Sequence, residues 1–171
     1  DIKLAFLKAF PFDKNITEEN IVEALASYEK SLISPETRFD AWVRGEDAAL
    51  TDSEKNGFKI FVGKGGCVSC HGGWRFTDDQ FHDIGLGTED LGRNSGADLN
   101  ARFPSFKTPG LRDLSKTAPY MHNGSLPTLE DVIVHYTKKR SLRPSLSPNL
   151  VLDLNLTTEE KASLIAFLCT L

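Results

Sequence analysis

Apolar residues recur at helical spacing in several separate segments of the chain. Ile2, Phe6 and Phe10 lie on one face of a short predicted helix, which the following proline ends. Thr17 is then placed to cap a longer amphipathic helix, which Pro35 breaks. The apolar stripe of this second helix consists of Ile21, Leu25, Tyr28 and Leu32. The start of the chain therefore predicts two consecutive helices.

Two further helices precede a glycine-rich joint. Phe39 and Trp42 indicate a short helix that stops at Gly45, because glycine is favoured just past a helix end. Thr51 and Glu54 then have the spacing of a capping box, in which each side chain binds the backbone N–H of the other residue. The helix that they open carries Phe58, Phe61 and Val62 and ends at Gly63, Gly65 and Gly66.

The helical pattern is lost between residues 72 and 119, where glycine, asparagine and proline are frequent. Loops of this length inside a domain are uncommon and are usually functional. We expect a small hairpin near residues 76–84 and a brief apolar turn near Leu111. Two more helices follow, and each begins with a capping box, Thr128 with Asp131 and Thr157 with Glu160.

Composition and charge exclude several classes of protein. The 171 residues are enough for one domain with its own core, and the 40% hydrophobic and 26% charged residues are typical of globular proteins. The net charge of -4 and the lack of a basic run exclude a nucleic-acid binder. No segment approaches the roughly 18 consecutive apolar residues of a membrane span, and the first residues lack the pattern of a signal peptide.

Cys67-Val68-Ser69-Cys70-His71 is typical of c-type haem attachment. Two thiols at this spacing can each form a thioether with one porphyrin, and the adjacent histidine is then held at the iron as an axial ligand. A zinc half-site or a redox pair is the alternative, but zinc needs two more ligands and the only other cysteine is Cys169. We expect Cys169 to be a buried small hydrophobe. The motif therefore predicts one covalent haem c with His71 as its proximal ligand.

The residues leave the second axial ligand open. Met121 is the only methionine and lies in a proline-bounded loop, where a small cytochrome c often keeps its methionine ligand. His135 and Tyr136 are neighbours on a predicted helix, about 100° apart, so at most one of them faces the iron. A thioether ligand suits an electron carrier, whereas a tyrosine oxygen favours ferric iron. The remaining candidates are His82 and His122.

Three side chains are candidates for contacts with the porphyrin or its propionates. Arg112 is predicted to pair with a propionate, because a partly buried carboxylate favours a bidentate donor, although a solvated arginine is the common alternative. Trp74 follows His71 by three residues, so it is placed to pack on the porphyrin or to lie on an electron path. His122 lies in a predicted turn from which its ring could reach a propionate.

Several motifs are distributed along nearly the whole chain. They are Ala24-Leu25-Ala26-Ser27-Tyr28-Glu29, Arg38-Phe39-Asp40, the segment from Cys67 to Gly73, Phe76-Thr77-Asp78 with Phe81-His82, Phe106-Lys107-Thr108-Pro109 with Leu111-Arg112, and the segment from Thr117 to Gly124. Together they resemble the C-terminal, electron-transfer haem domain of the di-haem cytochrome c peroxidase and MauG family. In that family an N-terminal domain carries the peroxide-reacting haem. This sequence has no second Cys-x-x-Cys-His motif.

The resemblance also implies ligands. In the family, the sixth ligand of this haem lies seventeen residues beyond the proline of the Ala-Pro-Tyr motif, and it is methionine in the peroxidases and tyrosine in the MauG branch. Counting from Pro119 gives Tyr136, which leaves Met121 as a packing residue of the motif loop. The family also binds a structural calcium ion, which implies backbone carbonyl ligands at Thr117 and Pro119.

We therefore expect residues 1–171 to form a single c-type haem domain, mainly α, with a cytochrome c-like helical fold and long haem-wrapping loops. The resemblance implies the electron-transfer half of a MauG-like di-haem oxidoreductase, which relays electrons between a peroxide-activating haem and a donor or protein substrate. The expected partners are a second haem domain or subunit and an electron donor or acceptor protein. Haem attachment of this type implies a periplasmic location. The alternatives are a stand-alone mono-haem electron carrier and a five-coordinate haem that itself reacts with peroxide.

Overall fold

The computed structural model describes residues 1–13, 15–87, 89–96, 103–138 and 143–171. Their helices are α1 (Ile2–Ala9), α2 (Glu18–Ser31), α3 (Arg38–Val43), α4 (Asp52–Val62), α5 (Leu129–Thr137) and α6 (Thr158–Leu168), and their strands are β1 (Phe81–His82) and β2 (Phe106–Lys107). The described part of the chain is mainly helical, as the sequence predicts. Among these residues, no helix is long and apolar enough to cross a membrane.

The contacts between residues divide the chain into two compact units, Asp1–Pro35 and Glu36–Leu171. The first unit holds α1 and α2. Thr17 caps α2, since its hydroxyl accepts the Asn20 N–H at 3.2 Å and the Asn20 side chain accepts the Thr17 N–H at the same distance. The predicted apolar stripe of α2 is exposed, at Ile21, Leu25, Tyr28 and Leu32. The single haem domain expected across residues 1–171 stays a prediction.

The core of the second unit forms where α4 packs against α6. Gly57 permits this close contact, because a Cβ atom there would lie 2.0 Å from the carbonyl oxygen of Ser163 and 2.7 Å from Cβ of Phe167. The Phe167 side chain is fully buried. Its ring packs edge-to-face, with centroids 5.3 to 5.6 Å apart, against the rings of Phe39, Phe58 and Phe61. An interlocked aromatic cluster therefore joins α3, α4 and α6.

Four helices of the second unit begin with a capping box. The pairs are Thr37 with Asp40 for α3, Thr51 with Glu54 for α4, Thr128 with Asp131 for α5, and Thr157 with Glu160 for α6. In each pair the threonine hydroxyl accepts a backbone N–H of the first turn, and the carboxylate accepts the N–H of the threonine. The boxes of α4, α5 and α6 confirm the sequence analysis, whereas the box of α3 was not predicted.

The expected hairpin near residues 76–84 is wrong in its pairing. β1 pairs antiparallel with β2, and Phe81 lies opposite Lys107. The Thr108 N–H extends the ladder by donating to the Gln80 carbonyl at 2.9 Å. The two strands are far apart in sequence, so a local reading of turn residues could not identify the partner. Their pairing joins two distant parts of the long loop region that follows the Cys-x-x-Cys-His motif.

Candidate haem-binding site

An apolar cavity of about 360 Å³ lies in the second unit. A smaller cavity of about 100 Å³ shares part of its lining, including Cys67, His71 and Tyr136. Helices α4, α5 and α6 supply apolar walls, through Phe61, Ile133, Leu164 and Leu168. The rest of the larger cavity is lined by residues between Phe106 and His122 and by Cys67, His71, His82, Ile84 and Leu86. An apolar cavity with a few polar groups in its lining is typical of a binding site for a large, mainly apolar ligand.

The two cysteines follow a tight turn at the edge of these cavities. Gly66 has a φ of 65°, which glycine adopts without strain, and it leads into a short 3₁₀ helix at Cys67–Ser69. Cys67 lines both cavities and Cys70 lines the smaller one. Burial raises the pKa of Cys67 to about 11 and also raises the pKa of Cys70. These raised pKa values are opposite to the lowered values of a redox-active cysteine pair.

His71 is oriented by a backbone carbonyl. Its Nδ1 lies 2.9 Å from the carbonyl oxygen of Phe76, and because a carbonyl only accepts, Nδ1 carries the proton and Nε2 has the lone pair. Phe76 has a φ of 56°, so a tight turn brings this carbonyl back to the histidine. Burial lowers the pKa of His71, although the hydrogen bond to Phe76 opposes it. A neutral imidazole with a fixed Nε2 lone pair is the form that ligates a metal.

The candidate axial ligands differ in their access to the site. Tyr136 lines both cavities, together with His71, whereas Met121 lines the larger cavity alone. Met121 has a φ of 72° and belongs to a tight turn, in which its carbonyl accepts the Gly124 N–H at 3.2 Å. His135 Nε2 lies 3.0 Å from the carbonyl oxygen of Ile84. Tyr136 and His82 are thus the candidates that line both cavities with the proximal histidine, and both ring nitrogens of His82 are already engaged, with Asp78 and Ser147.

The structure brings His122 to the larger cavity but not Arg112 or Trp74. The His122 ring stacks on Phe106, with centroids 3.5 Å apart and planes 12° apart. Arg112 forms a bidentate ion pair with Asp40, at 2.7 and 2.8 Å, and its Nε donates to the Trp74 carbonyl at 2.9 Å. The Trp74 side chain is 76% exposed. The Arg112 guanidinium is therefore engaged with α3, and its predicted contact with a propionate stays a prediction.

Thr117 and Pro119 line the larger cavity and are exposed. The calcium ligation predicted for their backbone carbonyls stays a prediction. Cys169 is exposed at the end of α6, so its predicted burial is wrong. The sequence around Cys169 could not show this, because a cysteine at the exposed end of a helix and a cysteine on the buried face of the same helix have similar apolar neighbours in sequence.

Sequence reasoning missed the polar contacts that join residues 143–147 to His82 and Asp83. Arg143 Nε donates to the buried Asp83 carboxylate at 2.7 Å, and the Ser145 hydroxyl donates to it at 2.6 Å. Burial acts to raise the pKa of Asp83, but these hydrogen bonds outweigh it and leave the pKa below its ordinary value. The neighbouring His82 lines both cavities and binds Ser147. No motif spacing signals these contacts, because their partners are distant in sequence.

Comparison with known proteins identifies the family. The family model for di-haem cytochrome c peroxidase matches residues 1–48, and the model for RoxA-like, cytochrome c-like proteins matches residues 106–143. Methylamine utilization protein MauG of Methylorubrum extorquens is 44% identical over 169 residues, which are 97% of this chain and 48% of that protein. The chain belongs to the di-haem cytochrome c peroxidase and MauG family. It spans about half the length of the MauG relatives that it matches.

Other members of the family agree with this assignment. Cytochrome c peroxidase Ccp of Escherichia coli is 36% identical, over 77% of this chain and 30% of that protein. The crystal structure of a MauG-like protein associated with microbial copper homeostasis superposes with a TM-score of 0.78 and 29% identity, over 96% of this chain and 56% of that one. These neighbours confirm the predicted cytochrome c-like helical fold.

Family membership implies haem c as the cofactor. The residues present fit a haem c group. Cys67, Cys70 and His71 meet at an apolar cavity, and the hydrogen bond to Phe76 gives His71 the tautomer of an iron ligand.

Proposed function

We propose that this chain is the c-type haem electron-transfer domain of a MauG-like di-haem oxidoreductase, in which Cys67 and Cys70 attach one haem c and His71 ligates the iron. The observation that carries the proposal is the meeting of these three side chains at one apolar cavity. Two thiols followed directly by an imidazole are the groups that attach a c-type haem and ligate its iron.

When bound, haem c supplies a one-electron couple at its iron. The residues of the chain position the group and set its surroundings. The Phe76 carbonyl holds the His71 ring in one orientation. Apolar walls from α4, α5 and α6 exclude water, which strengthens the effect of nearby charges on the iron. This division of tasks suits an electron relay, because little around the site has to move when the charge of the iron changes.

We propose Tyr136 as the second axial ligand. Tyr136 lines both cavities together with His71, whereas Met121 lines the larger cavity alone, and this supports the choice of Tyr136 over Met121. A phenolate oxygen favours ferric iron, whereas a thioether favours ferrous iron. Tyrosine ligation would therefore favour the transfer of oxidising equivalents over the role of a high-potential carrier.

The proposed partner is a second haem domain or subunit that carries the peroxide-reacting haem. The relatives' length supports it, since the MauG proteins are about twice as long as the matched region. Electrons would pass between that haem and a donor or protein substrate through the haem held by this chain. We also propose a periplasmic location, as covalent haem attachment occurs outside the cytoplasm, and a calcium ion at the backbone of Thr117 and Pro119.

Paired substitutions test the ligand assignment. Tyr136→Phe is expected to change the ferric optical and EPR spectra strongly, because it removes the oxygen ligand, while Met121→Leu leaves them unchanged. Intact mass should show one haem in both variants, and no covalent haem when Cys67 and Cys70 are both replaced by alanine. The opposite spectral pattern, with a reversible high potential, would instead assign the chain as a stand-alone carrier with methionine ligation.

A further inference from the structure

Two adjacent aspartates have different electrostatic surroundings. Asp79 is 40% exposed and forms ion pairs with two cations, Arg75 and Lys107, the latter at 2.5 Å. The Asp78 side chain is 23% exposed and accepts a hydrogen bond from His82 Nε2 at 2.7 Å and one from the Gln80 N–H at 2.9 Å. Within the described ranges, no lysine or arginine forms an ion pair with Asp78. The two neighbours thus form a natural matched pair.

Asp78 lies beside the proposed haem attachment. A carboxylate oxygen of Asp78, a ring nitrogen of His82 and the sulfur of Cys70 all lie within 4.8 Å of one another. The His82 ring lines both cavities, and its Nδ1 lies 3.0 Å from the Ser147 hydroxyl. Each nitrogen of His82 therefore has a partner, so the ring holds the carboxylate in place instead of pointing a lone pair at the cavity.

The surroundings of Asp78 favour its ionised carboxylate. Burial raises the pKa of Asp78, but the hydrogen bonds from the Gln80 N–H and from His82 outweigh it and hold the pKa at about 2. The same negative charge acts on His71, where it favours the positively charged form. A negative charge that no lysine or arginine neutralises, close to an apolar cavity, is weakly screened.

We propose that Asp78, held by His82, whose ring Ser147 orients, places a fixed negative charge beside Cys70 that stabilises the oxidised form of the attached haem and lowers its reduction potential. The physical reason is that oxidation adds one positive charge to the iron, which the carboxylate attracts. The inference rests on the proposed haem attachment at Cys67 and Cys70. Asp78 is in this sense a tuning residue that acts through the electrostatic field and not through a bond to the iron.

The test is the midpoint potential of the haem-loaded protein, measured by spectroelectrochemistry. Asp78→Asn keeps the shape of the side chain and removes its charge, so the potential should rise. At the wild-type midpoint, the ratio of reduced to oxidised protein should increase by up to about tenfold, which is about 59 mV for a one-electron couple. Asp79→Asn is the matched control and should change the ratio less than about twofold, because two cations already offset that charge.

Asp78→Glu should return the potential towards the wild-type value, since it restores the charge. Asp78→Ser serves the same purpose as the asparagine variant if the latter does not fold. A protein without covalent haem, detected by intact mass, would overturn the proposed function itself. Covalent haem with an unchanged axial-ligand spectrum, and equal potentials for Asp78→Asn and Asp79→Asn, would overturn the tuning role alone.

Discussion

The helical and loop walls of the cavity are held by different forces. On the helical side, Gly57 and Phe167 bring α4 and α6 into close apolar contact. The loop side consists of residues 71–123. The elements that the structure describes there are two strands of two residues each and short 3₁₀ helices. Apolar burial does not depend on pH, whereas charged hydrogen bonds do. The two walls should therefore respond differently to the same perturbation.

Two ion pairs hold the loop side in place. Arg112 joins α3, through Asp40, to the turn that follows His71, through the Trp74 carbonyl. Arg143 joins the segment after α5 to Asp83, next to β1. Each arginine bridges parts of the chain that are distant in sequence, at the margin of the cavity. Such pairs can fix the position of a loop that has too little apolar surface to pack by burial alone.

The largest effect is expected on the helical side. Phe167→Ala removes a fully buried ring from the aromatic cluster and should lower the free energy of unfolding by about 3–5 kcal/mol. Denaturant unfolding of the haem-loaded protein measures the change, which should be the same at pH 4 and pH 7. Phe12→Ala is the control, because that side chain is 98% exposed. Equal losses for the two variants would contradict the importance of the cluster.

An intermediate, pH-dependent effect is expected for Asp40 and Arg112. The Arg112 guanidinium lowers the pKa of Asp40 from its ordinary 3.8 to about 2, so the folded state favours the carboxylate. The pair therefore stabilises the protein fully above the ordinary pKa of 3.8, and this contribution is lost as the pH falls through about 2. Arg112→Lys removes the bidentate geometry and should cost about 2 kcal/mol at neutral pH.

The free energy of unfolding, measured between pH 5 and pH 2, checks the Asp40 prediction. The wild-type protein should lose stability over this interval more steeply than Arg112→Lys. Lys116→Ala, which breaks an exposed ion pair with Asp113, should change the stability by less than about 0.5 kcal/mol. Parallel curves for the wild type and Arg112→Lys would mean that another group titrates on the loop side.

The features that sequence reasoning predicted are local ones. The capping boxes of α4, α5 and α6 and the Cys-x-x-Cys-His motif each span four or five residues, so their geometry follows from spacing alone. Contacts such as those of Arg112 with Asp40 and of β1 with β2 join distant segments without any periodic signal. For this reason local spacing predicts neither the contact of Arg112 with Asp40 nor the carboxylate of Asp78 beside Cys70.

The smallest effect is expected for one of these local signals. Thr157→Ala removes the hydroxyl that accepts the Glu160 N–H at 3.2 Å at the start of α6, and it should cost about 1 kcal/mol. Thr157→Ser keeps the hydroxyl and should retain most of the stability. Both are measured by the same denaturant unfolding. If Thr157→Ala cost as much as Phe167→Ala, α6 would depend on its cap as much as on its packing. A loss near the expected value would show instead that capping marks where α6 begins, while the contacts around Phe167 hold the helix against α4.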